Sequence, residues 1–463
     1  MKPILPELNN NSSEPLYIQL YNYIKDGILA GDIGADEKLP SLRKLSVDLG
    51  VSITTTELAY NQLLVEGYIL SKPQSGYYVD KISLPGEGAG PGSNRLPDVY
   101  QVADYSLEEY PYKCDLTCFD FGKWKKTMAK VLNLYPNLLL FESDPQGEET
   151  LRLEISKYVY SSRGVVATPD QVVIGAGTQQ LTSHLARILR KMNINHVATE
   201  DPGYLPVQNI FRDHGFGITK IPVAADGIMI ERLPTNIPSA VYVSPSNQFP
   251  TGSVMPIGKR YKLLEWARKN DSIILEDDYD SELRYFGKPV PALQGLDPDA
   301  GVVYLGSFSS TLFPAIKISY MILPEHMAEI FREIKSDYTQ TCSKTEQLTL
   351  ALFMEEGLYY TNIRKLRSLY SQKLQVVIAA IERYGKNFVE PTNTSSGINM
   401  ILKVKTKKAA AELCEIAKSL GLLVLPVASL TDQDTAALIF YYNQIPLGEI
   451  ESSIENLITL WKA

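Results

Sequence analysis

The sequence has few cysteines and histidines, no long apolar run and no excess of positive charge. Its 463 residues include 4 cysteines and 4 histidines, and none shows a C-x-x-C or other spacing typical of metal ligands. Apolar stretches are short and interrupted by charge, and no hydrophobic segment follows Met1-Lys2-Pro3. We therefore expect no bound metal, no membrane span and no secretory signal, but a cytoplasmic protein with reduced thiols.

The charge and length limit the function further. A net charge of −8 argues against a basic coat over nucleic acid, so any contact with phosphates must be local. Hydrophobic residues make up 44% of the chain and charged residues 21%, which is ordinary globular usage. At this length we expect two or three domains.

One break in composition divides the chain. Residues 84–93 read Leu-Pro-Gly-Glu-Gly-Ala-Gly-Pro-Gly-Ser, which offers too little apolar surface to pack and predicts a flexible linker. We predict an N-terminal domain at 1–80, a linker at 81–112 and a large domain at 113–463.

The N-terminal segment predicts three helices and a hairpin. Apolar residues recur every four positions over 16–28, and Ser41 and Ser52 are positioned to cap two further helices joined near Gly50. That spacing is typical of a helix-turn-helix. Two short strand patterns over 68–79, separated by a turn, add a wing. The predicted fold is a winged helix-turn-helix of the α+β class.

The strings LPSLRKLS at 39–46 and AYNQLLVEGYI at 59–69 resemble the GntR-type winged helix, over residues 14–80. The resemblance implies that the second helix and the first turn of the third face a double-stranded DNA operator, with the wing near the minor groove. The family often has arginine where this chain has Ile53. The predicted DNA contacts are Lys38, Ser41, Arg43, Lys44, Ser52, Thr54, Thr55, Lys72 and Gly76.

A protein-binding adaptor is the alternative for this domain, because residues 14–80 carry five basic residues against nine acidic ones. The distribution nevertheless favours DNA. Lys38, Arg43, Lys44 and Lys72 lie at the start of the second helix or in the wing, where a docked duplex places its phosphates. We expect weak binding by one domain and tighter binding by a dimer.

The large domain alternates strand and helix patterns, which predicts an α/β fold with a largely parallel sheet. Five strand patterns, near residues 171–174, 196–198, 240–243, 273–275 and 302–305, each run into a polar or glycine-rich loop. Ligands of open α/β sheets bind at the carboxyl ends of the strands, so we expect one crowded ligand site.

The loop residues suit a phosphorylated heterocycle. Gly177-Thr178-Gln179 opens a helix and can bind phosphate with its backbone N–H groups, helped by the hydroxyls of Ser307 and Ser309. At other strand ends, Asp277 can hold a proton on a ring nitrogen, Tyr279 can donate to a phenolate and Tyr204 can stack. Each residue taken alone also fits a turn, a helix cap or packing.

This constellation looks like the fold-type I aminotransferases, which use pyridoxal 5′-phosphate, over residues 113–463. Joined to a GntR-type winged helix, it resembles the MocR subfamily of bacterial transcription regulators. The resemblance implies a head-to-tail homodimer whose large domain senses the cofactor or an amino compound. The implied cofactor-binding residues are Gly177, Thr178, Gln179, Tyr204, Asn247, Asp277, Tyr279, Ser307, Ser309, Ser310 and Lys317.

The chain departs from the aminotransferase pattern at several positions. Ser310 stands where the family has its Schiff-base lysine, and a hydroxyl cannot form an imine. Lys317 replaces the phosphate-binding arginine, Glu142 stands where an aromatic residue is frequent, and residues 437–441 contain no arginine to bind a substrate carboxylate. We predict no catalytic residue and no turnover. The sequence leaves open whether Ser310 is natural or introduced, although the accompanying changes favour natural drift.

The leading hypothesis is thus a dimeric DNA-binding regulator with a catalytically silent sensor domain that binds pyridoxal 5′-phosphate non-covalently. Two alternatives remain: an active aminotransferase with a regulatory head, and a large domain that only dimerises and binds no small molecule.

Overall fold

The computed structural model describes residues 8–10, 12, 14–81, 112–285, 290–394 and 396–463. The chain forms two compact units, each described here by itself. The linker predicted at 81–112 lies outside the described residues except for Lys81 and Tyr112. Within the described ranges, no helix is long and apolar enough to cross a membrane, and no cluster of histidine, cysteine and acidic side chains could hold a metal ion.

The N-terminal unit is a winged helix, as predicted. Its elements are α1 (Leu16–Leu29), α2 (Leu42–Leu49), α3 (Ile53–Val65), β1 (Ile69–Lys72) and β2 (Gly76–Val79). The two strands pair antiparallel and form the wing.

Local caps fix the sharp turn between α2 and α3. The Ser41 hydroxyl accepts the Lys44 N–H at 3.3 Å, and the Ser52 hydroxyl accepts the Thr55 N–H at 3.1 Å. Between them, Gly50 ends α2 at φ 61°, a left-handed conformation that glycine adopts without strain. These caps satisfy N–H groups that a helix leaves free, so both short helices can form where the sequence places them.

The large unit begins with a three-layer α/β arrangement. Its elements in chain order are α4 (Phe121–Leu134), α5 (Glu149–Arg163), β3 (Val172–Gly175), α6 (Thr178–Lys191), β4 (His196–Asp201), α7 (Leu205–Asp213), β5 (Gly217–Ala224), β6 (Gly227–Ile228), β7 (Ala240–Val243), α8 (Ile257–Lys269), β8 (Ile273–Asp278), α9 (Leu293–Leu296), β9 (Val302–Ser307), β10 (Ser319–Ile322), α10 (Glu325–Ile334) and α11 (Lys344–Glu355).

These strands form one sheet in the order β3-β10-β9-β8-β7-β4-β5-β6. β4, β5, β7, β8 and β9 run parallel, and β10 is antiparallel to both of its neighbours, so β3 points the same way as β9. Six strand ends therefore meet at one edge, and five of them, those of β3, β4, β7, β8 and β9, are the ones that the sequence indicates. Alternate residues face opposite layers: Tyr242 of β7 packs with α6 and α7, and Val241 and Val243 pack with α8.

The C-terminal part of this unit is an antiparallel sheet covered by helices. It contains α12 (Leu358–Tyr384), β11 (Val389–Thr392), β12 (Met400–Lys405), α13 (Ala410–Ser419), β13 (Val424–Pro426), β14 (Thr435–Phe440) and α14 (Ile450–Lys462). The strand order is β11-β12-β14-β13. Leu438 of β14 is fully buried in the core between this sheet and its helices.

A buried ion pair joins α5 to the end of β8. Arg163 Nε lies 2.7 Å from Asp278 Oδ2, and the two side chains are 3% and 1% exposed. Arg163 also donates to the Ser246 hydroxyl and the Val290 carbonyl, while the Tyr304 hydroxyl donates to Asp278 at 2.7 Å. Because two charges out of water need such partners, removal of one leaves a costly unpaired charge.

We expect Arg163→Met to lower the free energy of unfolding of the large unit by about 3–5 kcal/mol, because Asp278 would stay buried without its cation. Urea unfolding followed by circular dichroism measures this change.

The matched control is Arg187→Met, which breaks an Arg–Asp pair with Asp337 whose side chains are 39% and 53% exposed. This exposed pair should contribute only about 0–1 kcal/mol. Equal effects of the two substitutions would contradict the assignment of Arg163 as a buried anchor.

Candidate functional site

The carboxyl edge of the large sheet holds a cavity of about 490 Å³. Ten of the eleven predicted cofactor-binding residues line it: Gly177, Thr178, Gln179, Tyr204, Asp277, Tyr279, Ser307, Ser309, Ser310 and Lys317. The structure thus gathers loops from four different strands around one space, and their binding role remains a prediction.

One end of the cavity has the character of an anion site. Gly177, at φ 90°, turns the chain into α6, whose first residues Thr178 and Gln179 line the wall. The N–H groups of a first helical turn have no partner within the helix and carry a partial positive charge. Lys317, an exposed residue in the left-handed conformation at φ 50°, contributes the one cation among the lining residues that the structure describes.

The serines at this end differ in whether their hydroxyl protons are free to donate to a ligand. The Ser307 hydroxyl accepts the Ser309 N–H at 3.3 Å and the Ser319 hydroxyl at 3.0 Å. Its own proton is thereby left to donate toward the cavity. Ser307 and Ser319 both line the space. Because the Ser319 proton is already donated to Ser307, only the Ser307 hydroxyl of this pair supplies a donor beside the start of α6.

The other end carries a buried carboxyl group. Asp277, at the end of β8, is 7% exposed, and the Tyr242 hydroxyl donates to its Oδ2. Burial raises the pKa of Asp277 to about 7, the hydrogen bond from Tyr242 opposes that rise, and the charge of Asp278 adds to it. A protonated ring nitrogen placed against Asp277 would stabilise its charged form.

Ser310 lines the cavity, and its side chain carries a hydroxyl in place of the amine that an imine would require. Its hydroxyl donates to the Tyr279 carbonyl at 2.5 Å, which fixes the side chain against the neighbouring strand end. The position is therefore filled by a short, internally bonded hydroxyl that has no nucleophilic nitrogen.

Aromatic rings form the walls between these ends. The Tyr204 and Phe249 ring centroids lie 6.1 Å apart, and those of Phe249 and Tyr279 lie 6.4 Å apart, both edge to face. Burial raises the pKa of Tyr279 well above its usual value, so this hydroxyl is a donor at neutral pH.

Asn247 does not line the cavity. Its amide donates to Asp280 Oδ2 at 2.7 Å and to the Tyr279 hydroxyl at 3.2 Å. The buried Asp280 carboxyl and the Tyr279 hydroxyl thus hold the amide beside that tyrosine. A direct contact of Asn247 with a ligand stays a prediction.

Glu142 and Leu438, two positions where the sequence departs from the aminotransferase pattern, lie outside the cavity lining. Glu142 is exposed and is not part of the lining; its backbone carbonyl accepts the Lys344 ammonium at 3.0 Å. Leu438 packs inward, and Tyr441, three residues later, lines the cavity. The described lining contains no arginine, so the segment expected to bind a carboxylate offers a phenol instead.

Several lining residues were missed: Ala176, Phe249, Pro314, Ser319, Ile398, Asn399 and Tyr441. Phe249 belongs to the loop after β7. The sequence analysis had already predicted that loops following the strands line the site, so the sequence could have indicated Phe249. Ile398 and Asn399 precede β12 of the C-terminal sheet, and no local pattern places them here.

The N-terminal unit presents a second candidate surface. The ammonium groups of Lys38 and Lys72 lie 5.8 and 4.3 Å from the centre of the Tyr78 ring in the wing, beside Gly76 at φ 111°. Arg43 and Lys44 are exposed on α2. Ser41, Ser52 and Thr55 form the caps, and Thr54 is exposed at the start of α3. Tyr78, whose ring both ammonium groups approach, was not predicted.

Known protein families match both units. The family "Bacterial regulatory proteins, gntR family" matches residues 16–79, and "Aminotransferase class I and II" matches residues 114–432. The chain is 39% identical to the uncharacterized HTH-type transcriptional regulator YdeL of Bacillus subtilis, with 99% of each chain covered. It is 32% identical to the probable rhizopine catabolism regulatory protein MocR of Rhizobium meliloti, covering 86% of this chain and 83% of that protein.

Solved structures resemble the large unit in fold. A kynurenine aminotransferase from Pyrococcus horikoshii superposes with a TM-score of 0.64 at 23% identity, covering 76% of this chain and 89% of that chain. An archaeal alanine:glyoxylate aminotransferase gives a TM-score of 0.67 at 21% identity, with the same coverage of 76% and 89%. The fold-type I architecture predicted for residues 113–463 is confirmed by these likenesses.

The buried acid at the cavity generates a prediction on pH. An aspartate whose pKa is higher in the folded than in the unfolded chain destabilises the fold above the unfolded pKa of about 3.9. This cost grows as pH rises to about 7, the folded pKa of Asp277, and is constant above it. Asp277→Asn should therefore stabilise the ligand-free protein by about 2–4 kcal/mol at pH 8 and by no more than about 1 kcal/mol at pH 4.5.

Thermal and urea unfolding at the two pH values measure this difference. Glu382→Gln, which neutralises an exposed carboxylate on α12, is the control and should give no pH-dependent gain. A stabilisation by Asp277→Asn that is equal at both pH values would show that Asp277 does not titrate in this range.

Proposed function

Because the chain belongs to the MocR subfamily of GntR-type transcription regulators, we propose that its winged helix binds operator DNA and that its aminotransferase-like domain senses pyridoxal 5′-phosphate or an amino compound non-covalently, without turnover. The observation that carries the sensor proposal is Ser310. It stands at the cavity with its hydroxyl bonded to the Tyr279 carbonyl, and a hydroxyl cannot form an imine.

The remaining lining residues fit the cofactor. The N–H groups that open α6, the Ser307 and Ser309 hydroxyls and Lys317 would hold the phosphate. Asp277 would hold a proton on the ring nitrogen, and Tyr279 would donate to the phenolate oxygen. When bound, the cofactor supplies a reactive aldehyde and an electron-poor ring. The chain's own groups would orient the molecule and keep a proton on the ring nitrogen beside Asp277.

Signalling requires that the ligand bind one arrangement of the protein better than another. The lining comes from both the large sheet and the segment before β12, since Ile398 and Asn399 face the same cavity as Asp277. A ligand that bridges these parts would favour the arrangement in which they are close. This supports a sensing role in which the bound state differs from the free one.

We also propose a head-to-tail homodimer. An apolar surface runs along the end of α4 and the turn that follows, where Leu134 is 63% exposed, Leu140 83% and Phe141 70%. Large apolar groups exposed together in this way are typical of an interaction surface. A second copy of the chain would cover them and would bring two winged helices to one operator.

The ligand proposal is tested by titration calorimetry of pyridoxal 5′-phosphate into the full chain. We expect saturable binding that Asp277→Ala weakens about tenfold or more, because the ring-nitrogen proton loses a buried, charge-assisted partner. Ser310→Ala should bind nearly as well as the wild type. Absence of binding would favour a domain that serves only for dimerisation.

Borohydride reduction followed by peptide mass analysis tests whether the contact is covalent. We expect no reduced adduct at Lys317 or at any other residue of the wild-type cavity, and a new adduct at position 310 in Ser310→Lys. An adduct on Lys317 in the wild type would contradict non-covalent sensing.

The DNA proposal is tested by fluorescence anisotropy on duplexes selected from a random pool. Arg43→Ala should weaken binding about tenfold and reduce the salt dependence, because one phosphate or base contact is lost. Lys269→Ala, which removes an exposed charge from α8, is the control and should leave the affinity unchanged. An affinity unchanged by Arg43→Ala would count heavily against this surface.

A further inference from the structure

The first turn of α3 presents methyl groups where a DNA-reading helix commonly presents donors. Residues 52–56 read Ser-Ile-Thr-Thr-Thr and contain no arginine, lysine, asparagine or glutamine. These four residue types make the usual bidentate contacts to guanine and adenine. This turn therefore cannot read purine edges in that way.

The hydroxyls of this turn are largely committed to the protein itself. Ser52 Oγ lies 2.8 Å from Thr55 Oγ1 and also accepts the Thr55 N–H. Thr56 Oγ1 is buried and donates to the Ile53 carbonyl at 2.8 Å. Ile53 and Thr54 are the residues of the turn whose side chains remain free and exposed within the described unit.

Ile53 is not required by the core. The buried face of α3 consists of Thr56, Ala59, Tyr60 and Leu63, and Ile53 is 49% exposed outside the core cluster. Ile53 therefore gains much less stabilisation from packing than a buried core isoleucine does. Its apolar surface is available for a partner.

The position of the turn indicates what that partner is. In a helix-turn-helix, the N-terminal residues of the second helix contact base edges in the major groove. The C5-methyl group of thymine is the apolar feature of that groove, and apolar side chains and threonine methyls contact it. We propose that Ile53 and Thr54 read thymine methyl groups and give the protein a preference for T·A pairs; this inference rests on the proposed DNA binding.

The surrounding charges support a division of roles. Arg43 and Lys44, exposed on α2, supply cations that position the duplex through its phosphates. Glu57, exposed one turn beyond Ile53, would repel a phosphate beside it. The exposed start of α3 is therefore suited to base edges and poorly suited to the backbone.

Deoxyuridine, which differs from thymidine only by the missing methyl, tests this proposal directly. Duplexes selected from a random pool by the full-length protein are resynthesised with each thymine replaced in turn by deoxyuridine. Anisotropy at one fixed salt concentration then gives the affinities. We expect about a fourfold loss at one or two thymines of each half-site, the value of one buried methyl group.

Two variants assign the effect to the side chains. Ile53→Ser should bind the thymine duplex more weakly and should no longer distinguish thymine from deoxyuridine at the position that Ile53 contacts. Thr54→Ser removes a single methyl group and serves the same purpose if Ile53→Ser lowers the helix content. Val65→Ser, at the other end of α3 where the valine is 84% exposed, is the matched control and should keep the wild-type discrimination.

The outcomes separate the two levels of the hypothesis. Selected duplexes that bind equally well with every thymine replaced would overturn the methyl-reading inference and leave DNA binding intact. Discrimination that stays at the wild-type level at every thymine in both Ile53→Ser and Thr54→Ser would overturn it as well. Failure to select any duplex would refute the proposed DNA binding and this inference with it.

Discussion

The end of β8 carries two adjacent aspartates, and the ion pair that fixes one of them also sets the direction of the other. Asp278 is bound to Arg163 of α5 and to the Tyr304 hydroxyl on one side of the sheet. Because successive residues of a strand face opposite sides, Asp277 points the other way, toward Tyr242 and the cavity. A buried salt bridge thereby positions the carboxyl group on which the sensor proposal depends.

The same constraint bears on the raised pKa of Asp277. In the part of the chain that the structure describes, no salt bridge pairs Asp277 with a cation, and burial brings its pKa to about 7. The structure pairs Asp278 with Arg163 and leaves Asp277, with a pKa of about 7, close to its titration point at neutral pH. A ligand that carries a proton on nitrogen completes this arrangement, so the ligand-free pocket retains an unfavourable electrostatic state that binding would relieve.

The sequence was sufficient to predict a lining residue wherever that residue directly follows a strand pattern. Thr178, Asp277 and Ser307 each follow a strand pattern, and the parallel sheet brings them together as that rule requires. The helix caps Ser41 and Ser52 were equally readable, since a cap is formed within four residues.

The remaining features depend on contacts between distant parts of the chain. Asn247 turns away from the cavity because Asp280, more than thirty positions later, takes its amide proton. Ile398 reaches the cavity because the C-terminal sheet packs beside the large one, and Leu438 faces the core because of its register with Leu402 of β12. Three-dimensional packing decides each of these, and no periodicity in the sequence encodes it.

Serine at position 310 has a kinetic consequence. Hydrogen bonds, charge and stacking alone would hold a ligand next to it, so the ligand's residence time would be short compared with that of a covalently tethered prosthetic group. Occupancy would then follow the free concentration in the cell as it rises and falls. In the proposed sensor, a pocket without a covalent anchor would bind its ligand reversibly, which is what sensing requires.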